Sequence, residues 1–313
     1  MDAFYTYRHA ISGGLGGGIT VIALHPFDTI RTRIQVVESA ANTGRSVATS
    51  SKLSTWSTLR SIVRTESFAA LYKGLVPAVV GSGFAWAAYF QSYNFMKSKL
   101  GELGFAQSAG LHFAAGTTSG ILVCVLTNPV WVVKTRLQLQ IDGKLSFGQQ
   151  PYRGFIEGLK IIFKEEGIRG LYKGLGPSLW LVSQGALQFA AYEEMKSMIA
   201  GEARTLDTTL TVAESLVASS LSKLFASTAL YPLQVVRTRM QKRLEGRDKN
   251  YKSFGFALRT IARREGWRGF YKGLTANLLR VTPSAAITFI VYEQSMKSLG
   301  NLKPTDMAPA GIV

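Results

Sequence analysis

Cysteine is almost absent from this 313-residue chain. Cys124 is the only one, which excludes an internal disulfide and any cysteine-cluster metal site. Histidine is scarce too, and His9, His25 and His112 lie too far apart to suggest a metal centre. Charged residues make up only 18%, against roughly 25% in an ordinary soluble domain. Hydrophobic residues reach 47%. That balance argues against a soluble enzyme, and the hydrophobicity argues against disorder. Acids are the scarcer charge: 19 Asp and Glu face 36 Lys and Arg, for a net charge of +17. The opening MDAFYTYRHA has no basic region followed by an apolar core, so no secretory signal is expected. A membrane enzyme is not expected either. No nucleophile–base pair is evident, and Gly13–Gly18 lacks the preceding strand and the lysine of a phosphate loop.

Long apolar stretches, by contrast, are plentiful. Gly74–Met96, Leu111–Val133 and Gly174–Tyr192 contain no acid or base, nor does the shorter Ala10–Phe27. Ser215–Val236 is interrupted only by Lys223, and Gly273–Tyr292 only by Arg280. About 20 helical residues cross a bilayer core, so the pattern predicts an all-α membrane protein with six transmembrane helices. The bases gather between these stretches. Seven lie from Arg31 to Lys73, eight from Lys134 to Lys173 and twelve from Arg237 to Lys272. The short connections, 97–110 and 196–210, hold four. By the positive-inside tendency the three long loops share one side and both termini face the other. Nucleic-acid binding is not expected, because the basic charge flanks apolar segments and no RNA-binding or zinc-finger signature is present.

The chain repeats itself three times. PFDTIRTRIQ begins at Pro26, PVWVVKTRLQ at Pro129 and PLQVVRTRMQ at Pro232, at intervals of 103 residues. TESFAALYKGL, EEGIRGLYKGL and REGWRGFYKGL follow, around Gly74, Gly174 and Gly273, and each unit closes with Tyr93-Asn94, Tyr192-Glu193 or Tyr292-Glu293. The units are residues 8–100, 108–200 and 208–300, with a flexible tail over 301–313. Each reads as a helix with a proline near its end, a basic loop with a short amphipathic helix, and a second helix.

These motifs resemble the mitochondrial carrier family, whose repeat carries P-x-[DE]-x-x-[KR] and then E-G-x-x-x-x-[YF]-[KR]-G. The resemblance covers roughly residues 8–298. It implies a pseudo-three-fold bundle of six helices with three short matrix helices, in the mitochondrial inner membrane, with termini toward the intermembrane space. It also implies alternating access, a monomer, cardiolipin on the matrix side and no prosthetic group. Within the family, Asn128–Gln140, Gln184–Glu193, Ser222–Gln241 and Asn277–Glu293 are most similar to the folate and FAD carrier branch. The expected substrate is therefore FAD or folate. The alternative is another nucleotide-like substrate (pyrimidine nucleotide, NAD or coenzyme A), with a peroxisomal membrane as a second location.

Residues three and four apart share a helix face. Asp28, Arg31 and Gln35 do so, as do Trp131, Lys134 and Gln138, and Gln234, Arg237 and Gln241. The resemblance makes these the matrix gate. Asp28 is expected to pair with Lys134, Trp131 to meet Arg237 through its ring, and Gln234 to bond Arg31, with the glutamines as braces. Ordinary solvated helix-end charges are the alternative. Pro26, Pro129 and Pro232 are expected to kink their helices. The cytosolic gate would comprise Asn94, Lys97, Glu193, Lys196, Glu293 and Met296, pairing Glu193 with Lys97 and Glu293 with Lys196. Lys297 offers Glu293 a second option within its own helix.

Ionisable groups inside spans are candidate functional sites. Lys223 replaces the second small residue of the G-x-x-x-G that reads Gly13/Gly17 and Gly116/Gly120 in the other units. Arg280 lies twelve residues before Tyr292, near a substrate contact point of the family. The same offset selects Gly81, Trp180 and Leu181. Both cations suit a carboxylate or phosphate, although either could instead snorkel. Trp86 and Trp180, with Gln184 and Gln188, are candidates to hold a flat heteroaromatic ring; packing or interface anchoring is the other use of such tryptophans.

Overall fold

The computed structural model describes residues 2–37, 54–102, 109–141, 150–200, 211–243, 251 and 253–300. Among the described residues there are eleven α-helices, and no strand is present. The first unit is built from α1 (Asp2–Val36), α2 (Thr55–Thr65) and α3 (Leu75–Glu102). The second has α4 (Ala109–Leu139), α5 (Phe155–Leu171), α6 (Leu175–Leu181) and α7 (Gln184–Ala200). The third has α8 (Val212–Ala229), α9 (Tyr231–Gln241), α10 (Phe254–Glu265) and α11 (Leu274–Gly300). Among the described residues, three stretches are long and apolar enough to cross a membrane: Phe68–Lys99, Leu111–Leu139 and Trp267–Ser298. The tail expected over 301–313 lies outside the described residues.

Two apolar stretches that read as single helices are divided. α6 stops at Leu181 and α7 starts at Gln184. Between them the Ser183 hydroxyl donates to the Trp180 carbonyl at 2.7 Å, a local bond that competes with the helical ladder. α8 gives way to α9 at Leu230, two residues before Pro232, whose missing N–H ends the ladder there. The other prolines act differently: α1 runs through Pro26 and α4 through Pro129 without a break.

The repeat period reappears as three small cores. Ile30 and Ile34 of α1 pack on Ile62 of α2. Val133 and Leu137 pack on Ile162 of α5, and Val236 and Met240 on Ile261 of α10. Each buried side chain of this size contributes about 1.5–3 kcal/mol, which anchors the amphipathic helix beside the end of the preceding long helix. The turn into α3, α6 or α11 needs glycine for two reasons. Gly74, Gly174 and Gly273 have φ of 83°, 76° and 81°. A Cβ there would also lie 3.1–3.2 Å from the carbonyl of Lys134, Arg237 or Arg31 respectively. Each turn therefore rests on the motif helix of the next unit, the third on the first. α11 packs along α1, α3 along α4 and α7 along α8, while α1, α4 and α9 converge at their ends.

Candidate substrate site and its gates

The convergence of α1, α4 and α9 brings the three proline motifs together. Lys134 Nζ lies 2.5 Å from Asp28 Oδ2, the pair anticipated from the motif. Gln138 Nε2 donates to the same oxygen at 3.0 Å. Arg31 donates through Nη2 to Gln234 Oε1. Trp131 does not reach Arg237: the cation over its ring is Lys134, one turn along the same helix, at 5.4 Å. Its indole N–H donates to Thr127 Oγ1 at 3.1 Å, which turns the ring along its own helix. Arg237 has no carboxylate within 4 Å among the described residues. The glutamines are braced in rotation by the threonine of each T-R pair. Thr32 donates to Gln138 at 2.9 Å, Thr135 to Gln241 at 2.8 Å and Thr238 to Gln35 at 2.8 Å.

Arg280 extends this cluster. Its Nε sits 3.8 Å from Asp28 Oδ1 and donates a hydrogen bond to no group. Its Nη2 donates to Asn277 Oδ1 at 3.3 Å, and buried Asn277 donates in turn to Ser227 Oγ at 2.8 Å. Lys223 is half-buried on α8, with Arg280 as its electrostatic neighbour. Asp28 thus stands among Arg31, Lys134 and Arg280, while Lys223 neighbours Arg280 and Arg237 neighbours Arg31. One carboxylate faces three cations, with two more behind them. Arg31 Nε is a second buried donor with no acceptor.

The other candidates divide between two places. Gly81 packs under the motif of α4, where a Cβ would meet Val130 Cγ1 at 2.8 Å and the Trp131 ring at 3.7 Å. Gln184 accepts a bond from Gln234 at 3.4 Å. Leu181 and Gln188 are half-buried on α6 and α7. Trp86 and Trp180 instead line a cavity of about 1780 Å³ between α3, α4 and α6–α7. Both are mostly exposed, at 63% and 64%, and Trp86 stacks on Phe90 at 5.8 Å. Arg280 and Lys223 are not on that cavity's wall.

The opposite end of the helices is unlatched. Among the described residues Lys97, Glu193 and Lys196 make no ion pair with one another or with Glu293. Glu293 pairs with Lys297 of its own helix at 2.8 Å. Asn94 lies on the cavity wall and Met296 is half-buried on α11. The two ends therefore differ, one closed by Asp28–Lys134 and the other with its expected partners apart.

The family model "Mitochondrial carrier protein" matches residues 2–103, 106–203 and 208–303. The chain belongs to the mitochondrial carrier family. It is a multi-pass membrane transporter, and members of this family are not enzymes. This carrier is 41% identical over 308 residues to "Folate transporter 1, chloroplastic" of Arabidopsis thaliana, covering 96% of this chain and 97% of the relative. It is 36% identical to "Nicotinamide adenine dinucleotide transporter 1, chloroplastic" of the same plant, covering 96% and 94%. "Mitochondrial FAD carrier protein FLX1" of Saccharomyces cerevisiae is 31% identical, covering 91% and 95%.

Two rings in this carrier escaped the motif reading. Arg33, Arg136 and Arg239, the arginine of each T-R pair, clamp Glu66, Glu166 and Glu265 with two hydrogen bonds each. Each also donates through Nε to a carbonyl of the next unit, that of Gln138, Gln241 or Gln35, at 2.8–3.1 Å. Lys73, Lys173 and Lys272 complete the carboxylates. Burial pushes each glutamate's pKa up, but the guanidinium bonds outweigh it and hold all three below the usual range. In the second ring, the residue before each motif proline tethers the lysine carbonyl at the next turn. His25 bonds the Lys73 carbonyl at 3.1 Å, Asn128 that of Lys173 at 3.4 Å and Tyr231 that of Lys272 at 2.9 Å. The arginine and the glutamate each recur in all three repeats, so their identity was visible there. The His, Asn and Tyr share no side-chain type, so only their common position could have marked them.

Proposed function

We propose that this carrier moves a large dianionic cofactor, folate or FAD, across the mitochondrial inner membrane by alternating access. The observation that carries the reading is the interior charge: three cations about one carboxylate, with Arg31 Nε and Arg280 Nε buried and unbonded. Uncompensated cations away from water are costly, and an anionic substrate would relieve that cost. A group with two negative charges fits the surplus better than a neutral solute. Arg280 and Lys223 would bind the anionic part. Gly81, Leu181, Gln184 and Gln188 would shape the site, while Trp180 and Trp86, on the cavity between α3, α4 and α6–α7, would flank a flat ring away from the cations. The relatives named for folate and for FAD support this choice, and those named for NAD supply the second reading.

Six spans would surround the pathway in pseudo-three-fold order, with the three basic loops in the matrix and the termini in the intermembrane space. The Asp28 end would be the matrix gate, held by Lys134, Arg31, Trp131, Gln234, Arg237 and the glutamine braces. Asn94, Lys97, Glu193, Lys196, Glu293 and Met296 would form the cytosolic gate, open in this conformation. Substrate need only stabilise the occluded state more than either open state to lower the barrier between them. The basic loops on the matrix side suit cardiolipin headgroups, and nothing in the mechanism needs more than one copy.

The test is uptake into liposomes holding the purified carrier, with labelled folate, FAD, NAD and pyrimidine nucleotides side by side. Saturable uptake of folate or FAD, lost in Arg280→Ala, is the expected result. Uptake of NAD or nucleotides alone would replace the substrate and keep the gates.

A further inference from the structure

We propose that Asp28 is a built-in competitor for the substrate's anionic group: it occupies Arg280 when the site is empty and must be displaced from it. This rests on the reading of Arg280 as a substrate contact. The two oxygens of Asp28 are used differently. Oδ2 serves the gate, held by Lys134 Nζ at 2.5 Å and by Gln138 Nε2 at 3.0 Å. Oδ1 looks the other way, toward Arg280 Nε at 3.8 Å and Arg31 Nη1 at 3.9 Å. The first pair is a short charge-assisted contact. The second is too long for a hydrogen bond, so it is attraction without a fixed geometry, which an incoming anion can replace.

The consequence is a direct link between binding and gating. Arg280 stands on α11 and Lys134 on α4, and Asp28 of α1 touches both. An anion settling on Arg280 substitutes repulsion for attraction at Oδ1, and α1 loses this ionic contact with α11. The other two motifs meet α3 and α7 at the corresponding place without charge. Trp131 lies against Gly81 of α3, and Gln234 donates to Gln184 of α7 at 3.4 Å. Only in the first unit is the motif residue an acid, and only there is its neighbour an arginine. A carboxylate so placed also sets selectivity. A monoanion held weakly at Arg280 competes poorly with Asp28, whereas a substrate with two charges recruits Lys223 as well.

Opposite signs from two substitutions test this. Asp28→Asn removes the competitor, while Lys134→Gln removes the gate's cation and leaves Asp28 leaning on Arg280 and Arg31. The reconstituted full chain is treated with phenylglyoxal, an arginine-selective reagent, and modification of the Arg280 peptide is followed by mass spectrometry. Arg280 should react about two- to fivefold faster in Asp28→Asn and slower in Lys134→Gln, the range expected for one partly exposed ion pair. Both variants reacting faster would mean that Asp28 only holds the gate, and no change in either would mean that the contact is idle; both overturn the proposal. Should Asp28→Asn fail to fold, Lys134→Gln alone decides, since slower modification supports competition and unchanged or faster modification removes it. A separate arm adds folate or FAD to the unaltered carrier. If neither protects Arg280, the substrate reading of Arg280 falls, while the opposed effects of the two substitutions still report the Asp28–Arg280 pairing.

Discussion

Arg239 and Glu265 meet through two parallel hydrogen bonds of 2.7 and 2.9 Å, with both side chains only 2% exposed. Arg239 simultaneously holds the Gln35 carbonyl of the first unit at 2.8 Å, so the pair joins the third repeat to the first. Removing one member leaves the other charged and buried. Glu265→Ala should therefore destabilise the carrier by about 3–5 kcal/mol, read as a lowered thermal unfolding midpoint in detergent. A midpoint within a degree of the parent would show that the clamp carries no load.

The same clamps govern acid stability. Glu66, Glu166 and Glu265 titrate below the usual glutamate range because, despite burial, arginine and lysine favour their ionised form. Their stabilisation is fully present above the unfolded value, about 4.3, and is lost as pH falls through the lowered folded values. Thermal stability should hold from neutral pH to about 5 and decline below it. Replacing all three glutamates with glutamine should flatten that decline. An unchanged acid limb would assign it to other carboxylates.

Arg280→Ala should weaken substrate binding by roughly 10- to 150-fold, the worth of about 1.5–3 kcal/mol for hydrogen bonds to a charged group. Arg280→Lys keeps the charge but not the planar fork and should fall between. Initial uptake rates across substrate concentration would measure both. Equal loss in the two variants would point to packing rather than charge.

Glu193→Gln should leave thermal stability within about 0.5 kcal/mol, because Glu193 makes no ion pair with any described residue in this conformation. Transport should nevertheless slow under the proposed gate, in which Glu193 pairs with Lys97 when that end closes. Loss of stability with unaltered turnover would contradict this assignment.

Much of the site was legible because the repeat states it three times. Asp28–Lys134 and Arg31–Gln234 follow from helix spacing combined with the resemblance to a known family, and both contacts are made. Trp131 shows where that logic stops. Its position directs it toward Arg237, but the ring rotamer is chosen locally, by Thr127 below and Lys134 above. The broken helices at 182–183 and at Leu230 were hidden for a similar reason. An apolar stretch specifies burial in lipid, not whether Ser183 bonds back to Trp180 within it.

Sequence alone determined the three units, the family and the excess of interior cations, because these depend on residue type and period. Tertiary structure decided which cation each group serves. Asp28 has two oxygens pointing to different helices, and their division between Lys134 and Arg280 arises only where α1, α4 and α11 come together. Pairing at that distance is a matter of ångströms in three dimensions, which a one-dimensional spacing cannot encode.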